Sequence, residues 1–465
     1  MPKIEFLGDL SSDHPHPQAL LAPKPFANTS GEPKDPLIHI AVAQVLADES
    51  GLHPDDTEAA DTVGEAGLEK LERWASCAAQ KRADVVVFPE YFLSGATHEL
   101  WRRVREAQRK QADSAQNQQR GGEPLAGNQE KDDSNDGQKE AEGNEKTWIE
   151  VIIHVAQKYD IDIVAGTVVE LGPQPHAEIL TDHPVCQVDS LPDADPSKKK
   201  QKDPSDKIPH RPSKNARITS NQDEQDHEDE LFNTSYYISR HGQVLHRYTK
   251  QNLWHPERET LLHSQHQTHP EQHHGSSTFI IETKRGTKLR AAMAICWDLA
   301  WFSRFYQMIS PPFDGRASDL DAQDQVPGPD VIFAPTCWYA SDGGPKALLW
   351  NGVGEAQMLD TLCLTRAVEL EAILVMCNVA GPYLNDEAIE NVRQELKKQT
   401  EQGIADEDLE MPLIGLGRSR ICAPFLNVIA QVPDQREVML LQSVDLNLLR
   451  DARQVYRMRY DYAQK

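Results

Sequence analysis

The chain has 465 residues, 73 acidic against 48 basic, and at a formal net charge of −25 its average field repels a nucleic-acid backbone. No apolar run is long enough to span a bilayer, and Asp9, Asp13, Pro15 and Pro17 stand where a secretory signal needs an apolar stretch. Seven cysteines without paired spacing argue against a disulfide framework, so the expectation is a cytoplasmic protein, with a nuclear address as the alternative suggested by the basic run Lys198 to Lys202.

Residues 1–36 are rich in proline and polar side chains and read as an extended N-terminal arm. The first core strand is Leu37 to Ala43. Leu68, Leu71, Ala75 and Ala78 then recur at helical spacing, giving an amphipathic helix ahead of a strand that closes on Pro89 and Glu90. A strand, helix and strand so connected imply parallel pairing. Residues 108–146 are almost entirely polar and cannot bury enough apolar surface to offset chain entropy, so they read as a disordered insertion. Trp148, Ile152, Val155 and Tyr159 mark the next helix face, and residues 161–169 the next strand. A second low-complexity insertion covers 172–230.

A turn at 240–243 leads into a strand that delivers Lys250, followed by Glu257 and Glu259 in a charged loop. Residues 261–276 form a third insertion, holding His263, His266, His269, His273 and His274. Nothing in its Gln/Ser/Pro-rich surroundings fixes a coordination geometry, so no metal is expected. Leu289, Ala291, Met293 and Ile295 alternate at the two-residue period of a strand that stops at Cys296, Trp297 and Asp298. Residues 309–329 are a further insertion before the strand 331–335, after which come Cys337 and Trp338. A helix with Ala356, Leu359, Cys363 and Ala367 on one face leads to the strand 373–378. The charged stretch 385–412 reads as an inserted surface helix or loop, and strands over 418–423, 428–431 and 438–444 precede a tail, 451–465. Alternating strands and helices indicate an α/β class.

Three strand ends thus carry a carboxylate, a cation and a thiol, in the order Glu90, Lys250, Cys296. Singly, each has an ordinary explanation: a free cysteine packs as a small hydrophobe, and a Glu or Lys at a strand end is usually a rim charge. Together they suit nucleophilic catalysis, because a thiol must lose its proton to attack and a nearby base and cation raise the thiolate share. Cys337 is the rival nucleophile by position, and Asp298 reads as holding the turn. Lys250→Met is expected to collapse acylation at little cost in thermal stability.

Phe88-Pro-Glu-Tyr-Phe-Leu-Ser-Gly95, Tyr248-Thr-Lys250 and Ile295-Cys-Trp-Asp298 resemble the three signature regions of the nitrilase (carbon-nitrogen hydrolase) superfamily. Secondary blocks extend the resemblance: Asn233 to Ile238, Asp330 to Pro335 with Trp338, Glu355 to Asn378, and Gly417 to Pro424. The chain departs from the family after the cysteine block, at Leu299 to Arg304, where an aromatic and Pro-Glu often follow. The resemblance implies a four-layer α-β-β-α sandwich over 37–450, broken by the insertions. Glu90, Lys250 and Cys296 would be its catalytic triad and Glu257 a second glutamate. Trp297 would supply the backbone donor after the nucleophile, and Trp338 would line the pocket. No cofactor is implied; a homo-oligomer is. The expected reaction is hydrolysis of a linear amide or N-carbamoyl compound through a cysteine thioester, since Cys-Trp-Asp looks like the amidase and carbamoylase branches. A nitrile substrate is the alternative. A catalytically weak scaffold presenting disordered interaction segments is the alternative of another class.

Overall fold

Apolar residues run almost without interruption along the core strands, and each strand divides its side chains between two layers. The computed structural model describes residues 6–8, 36–46, 65–106, 108–109, 147–171, 230–263, 278–309, 328–405 and 408–463. The expected insertions over 172–230, 261–276 and 309–329 lie largely outside the described residues, as does nearly all of 108–146.

The first sheet contains β1 (Phe6–Gly8), β2 (Leu37–Gln44), β3 (Val85–Val87), β4 (Asp162–Val164), β5 (Val168–Leu171), β6 (Leu231–Ile238), β7 (Val244–Thr249) and β14 (Val438–Asp445). Its order is β1-β14-β2-β3-β4-β6-β5, with β7 on the free side of β6. β2, β3 and β4 are parallel, as the strand-helix-strand spacing predicts. The second sheet runs β13 (Asn427–Gln431), β12 (Arg420–Ala423), β11 (Ile373–Asn378), β10 (Val331–Thr336), β9 (Lys288–Met293) and β8 (Phe279–Glu282). Its three central strands are parallel too, flanked by antiparallel edges.

Ile38, Ile40 and Val42 of β2 face inward, joining Val85 and Val87 and the residues of β9 to β11 in one core between the sheets. Ala41 and Ala43 face the other way, against Leu71, Trp74, Ala75 and Ala78 of α1 (Glu65–Gln80) and Ile149, Ile152 and Val155 of α2 (Trp148–Tyr159). α2 starts at a reciprocal Thr147/Glu150 capping box and stops at Asp160 in a left-handed conformation. Behind the second sheet, Leu359, Cys363 and Ala367 of α5 (Gly354–Glu369) complete the α-β-β-α sandwich. Between α5 and the cysteine turn lie α3 (Phe302–Gln307) and α4 (Gly344–Trp350).

Three sequence expectations change, and the surface helix or loop expected over 385–412 resolves as a helix. The strand over 161–169 is two strands, because the chain turns a corner at Gly166. This residue has φ +65°, and a Cβ there would stand 2.1 Å from the Pro89 carbonyl oxygen. Within the N-terminal arm, residues 6–8 pair antiparallel with β14 and form an edge strand. The stretch 385–412 contains a helix, α6 (Asp386–Glu401), whose N-cap is the Asn385 side chain; Leu396 anchors it in a small apolar cluster with Leu348 of α4. The tail folds as α7 (Asn447–Tyr456) and α8 (Met458–Ala463), since Leu449 and Ala452 at helical spacing are buried and Arg459 donates to the Leu370 carbonyl at 2.5 Å. No helix among the described residues is long and apolar enough to cross a membrane.

Candidate active site

Each segment that leaves the end of a core strand brings one functional side chain to a common point. Beyond β3, Phe88 still pairs with β4 through its N–H to the Val164 carbonyl, and Pro89 then turns the chain so that Glu90 is wholly buried. The N–H of Tyr91, at φ 59°, is held by Thr167 Oγ1 at 3.0 Å, which fixes the strained backbone directly after Glu90. Lys250 follows β7, and its N–H donates to the Asn233 carbonyl across the β6–β7 hairpin. Cys296 follows β9 at the head of a single 3₁₀ turn and has φ 42°.

Asp298 accounts for that backbone. Its carboxylate accepts the Ile295 N–H at 3.0 Å, the Tyr248 hydroxyl at 2.7 Å, and both the backbone and side-chain N–H groups of Asn252 at 2.9 and 2.8 Å. One carboxylate therefore ties the cysteine turn to the segment carrying Lys250, the positioning role that its place after Cys296 suggests.

Lys250 Nζ, with no solvent exposure, lies 2.8 Å from Glu90 Oε1 and 2.6 Å from Glu257 Oε1. Glu257 is held in turn by the Tyr91 hydroxyl at 2.5 Å and the Trp254 N–H at 2.6 Å. Glu90 accepts further bonds from Asn233 Nδ2 at 2.8 Å and the Cys337 N–H at 2.9 Å. The Cys296 sulfur is 3.6 Å from the Cys337 carbonyl oxygen. Glu90, Lys250, Glu257 and Cys296 are thus brought together. Glu259 is not: its side chain is exposed and pairs with Arg102 at 3.4 Å.

Burial acts on every charge here. It pushes the Glu90 carboxyl up to about 7, opposed by the Lys250 ammonium and reinforced by the Glu257 carboxylate; the bond from Cys296 acts in the lowering direction. Burial alone would lower the Lys250 ammonium, but Glu257 and Glu90 outweigh it and leave the group firmly protonated. The Cys296 thiol is pushed well up by burial and by Glu90, against the pull of Lys250, so it rests as a thiol with a base beside it. The Cys337 thiol is raised by burial as well. Its side chain packs against the apolar cluster of Tyr91, Trp101 and Leu253, and its N–H holds Glu90.

Three indoles form a wall beside the thiol. Trp254 meets Trp297 edge-on at 4.4 Å between ring centroids, and Trp297 lies 5.5 Å from Trp338. Trp338 is pinned by its indole N–H to Glu355 at 2.7 Å and by its backbone to Asn378. The departing segment after Asp298 lies away from this wall: Trp301 and Phe302 are exposed, and Arg304 is buried over the Tyr248 ring. Sequence reasoning missed Asn233, Tyr91 and Trp254; the first two stand in the quoted motif stretches and the third lies between Lys250 and Glu257, but polar and aromatic residues there carry no signal of direction. No group of side chains among the described residues could hold a metal ion, and of the histidine cluster only His263 is described, bonded to the Gln251 carbonyl at 2.9 Å.

No protein-family model matches the sequence, and neither does any curated protein. The chain is similar along nearly its whole length to solved members of the nitrilase superfamily. Saccharomyces cerevisiae Nit3, a member of branch 10 of that superfamily, is 17% identical with a TM-score of 0.46, covering 90% of this chain and 93% of its own. An amidase of Nesterenkonia AN1 from the same superfamily is 14% identical at 0.44, covering 91% and 97%. A CN-hydrolase superfamily protein of Xanthomonas campestris, with an arsenic adduct in its active site, is 12% identical at 0.46, covering 91% and 97%.

Proposed function

We propose that the chain is a carbon-nitrogen hydrolase of the nitrilase type, with Cys296 as nucleophile, Glu90 as general base and acid, and Lys250 as the cation facing the oxyanion. The observation that carries this reading is the fully buried Lys250 held between Glu90 and Glu257, with the Cys296 sulfur against the carbonyl of Cys337, whose N–H holds the same Glu90. Burying such a charge set costs stability, and a chain retains it where chemistry needs it.

As the sulfur attacks the carbonyl carbon, its proton passes to Glu90. An ammonium has three N–H donors, and two of those of Lys250 are taken by Glu90 and Glu257, which leaves one for the developing oxyanion. The Trp297 N–H, at the head of the 3₁₀ turn, is the second donor; losing one such donor typically costs about 3 kcal/mol of barrier stabilisation. Glu90 then returns the proton to the leaving nitrogen. A water that gives its proton to Glu90 attacks the thioester and releases the carboxylic acid, restoring the thiol. Glu257 keeps Lys250 charged and aligned throughout, and the wall of Trp254, Trp297 and Trp338 suits the apolar body of a small substrate. A linear amide or N-carbamoyl compound is the favoured substrate.

The test is ammonia release from a panel of amides, N-carbamoyl compounds and nitriles, with Cys296→Ala run alongside. Turnover of an amide or carbamoyl compound should vanish in the variant. Equal turnover in the two proteins would refute the assignment, and turnover of nitriles alone would move the substrate to that class.

A further inference from the structure

A carboxylate offers about four hydrogen-bonding positions, two on each oxygen, and at Glu90 the occupants can be counted. Oε1 accepts from Lys250 Nζ and from Asn233 Nδ2, both at 2.8 Å, which fills it. Oε2 accepts the Cys337 N–H at 2.9 Å and has one position left. The Cys296 sulfur lies 3.6 Å from the carbonyl oxygen of Cys337, the same residue whose N–H holds Oε2, so the thiol stands on the Oε2 side of the carboxylate. We propose that Asn233 is a positioning residue that, with Lys250, saturates Glu90 Oε1 and so makes Oε2 the one atom that exchanges the proton with Cys296. The proposal rests on the hydrolase reading for its purpose but not for its geometry.

Three features of Asn233 support it. The residue is completely buried, yet its Oδ1 has no hydrogen-bond partner among the described residues. A purely structural asparagine in a core pairs both ends of its amide, because an orphaned acceptor is costly. The amide also cannot be turned round without setting its oxygen against a carboxylate oxygen, so the N–H₂ must face Glu90. Finally, the Asn233 carbonyl accepts the Lys250 N–H at 2.9 Å, so one residue of β6 places both groups that fill Oε1. The side chain is the right chemistry for this purpose. A second cation at that position would draw Glu90 further from accepting a proton, and a carboxylate would repel it; a neutral donor fixes the oxygen while leaving Lys250 as the site's only ammonium among the described residues.

The balance of the step is simple. The S–H bond breaks, the proton goes to Oε2, and the sulfur lone pair forms the new bond to carbon. Iodoacetamide reports this step without any amide substrate, because alkylation of Cys296 needs the same proton removed. In the full-length protein, the Cys296 alkylation rate should rise with pH along an inflection that Glu90→Gln abolishes. Asn233→Leu, similar in size but without the donor, should move that inflection upward by about one pH unit and slow alkylation about tenfold at pH 6.5, the loss expected for one charge-assisted bond. Asn233→Asp, which keeps the shape should the leucine variant fail to fold, should move it the same way by placing a second carboxylate at Oε1.

An alkylation profile identical to wild type in a folded Asn233→Leu or Asn233→Asp protein would overturn the proposal. The hydrolase reading is judged separately. If the wild type hydrolysed no C–N substrate while the alkylation profile still followed residue 233, that reading would fall and the positioning role would stand.

Discussion

Lys250→Met gives the most demanding test of the site, because it opposes two expectations. From sequence alone, a lysine at a strand end is a rim charge whose loss costs little stability. In the structure it has no exposure and is bonded at 2.8 and 2.6 Å to two buried carboxylates. Removing the cation strands both. Breaking a buried pair by deleting one partner costs about 3–5 kcal/mol, and two stranded partners favour the upper end. For a chain of this size that is roughly 1 °C per kcal/mol, hence a fall in Tm of about 5 °C.

The sign of the pH dependence follows from Glu90. Its folded-state carboxyl is already raised to about 7 with Lys250 present, and it rises further without it. An acid whose folded pKa lies above its unfolded value destabilises the fold increasingly as pH climbs from the unfolded to the folded pKa. The deficit of the variant should therefore be largest near about pH 8.5 and shrink toward about pH 5.5, where the Glu90 carboxyl carries its proton. Calorimetry across that range, with Lys250→Met/Glu257→Gln as the control that removes one stranded carboxylate and recovers part of the loss, reads it directly. A Tm at about pH 8.5 equal to wild type would refute the buried-cation argument.

Two further outcomes are expected. The acid limb of kcat/KM should rise with an apparent pKa of about 7, because Glu90 must be ionised to accept the thiol proton; a flat profile from pH 5 to 8 would exclude Glu90 as the base. Gly166→Ala should cost more than the about 1–2 kcal/mol of a left-handed alanine, since the added Cβ meets the Pro89 carbonyl and pushes the segment carrying Glu90. Its activity should fall at least tenfold by way of kcat, and wild-type kcat would show that the corner does not position Glu90.

The elements that the sequence made legible are those with a strong period and a clear end. Leu71, Ala75 and Ala78 repeat at helical spacing and lie on the buried face of α1, and Leu289, Ala291 and Met293 are buried along β9. Parallel pairing of β2 with β3 follows from the length of chain that connects them. The split at Gly166 was hidden because an apolar run reads the same whether straight or bent; the bend is imposed by the Pro89 carbonyl, from a segment more than seventy residues away. The helices after 450 were hidden because Arg459 looks like a surface charge until the Leu370 carbonyl it satisfies is in view.

At the site, residue type and chain order were open to reading, since the identities of Glu90, Lys250, Glu257 and Cys296 and their places at or just after strand ends are properties of the chain itself. The family resemblance favoured Glu257 as the glutamate near the lysine, but the residues themselves did not separate it from Glu259. Glu257 and Glu259 are two residues apart in one charged stretch, and only the 3₁₀ turn between His255 and Glu259 aims the first inward and leaves the second in solvent. Side-chain direction, burial and the occupancy of each carboxylate oxygen depend on contacts between segments remote in sequence. Folding supplies those contacts, and local pattern does not encode them.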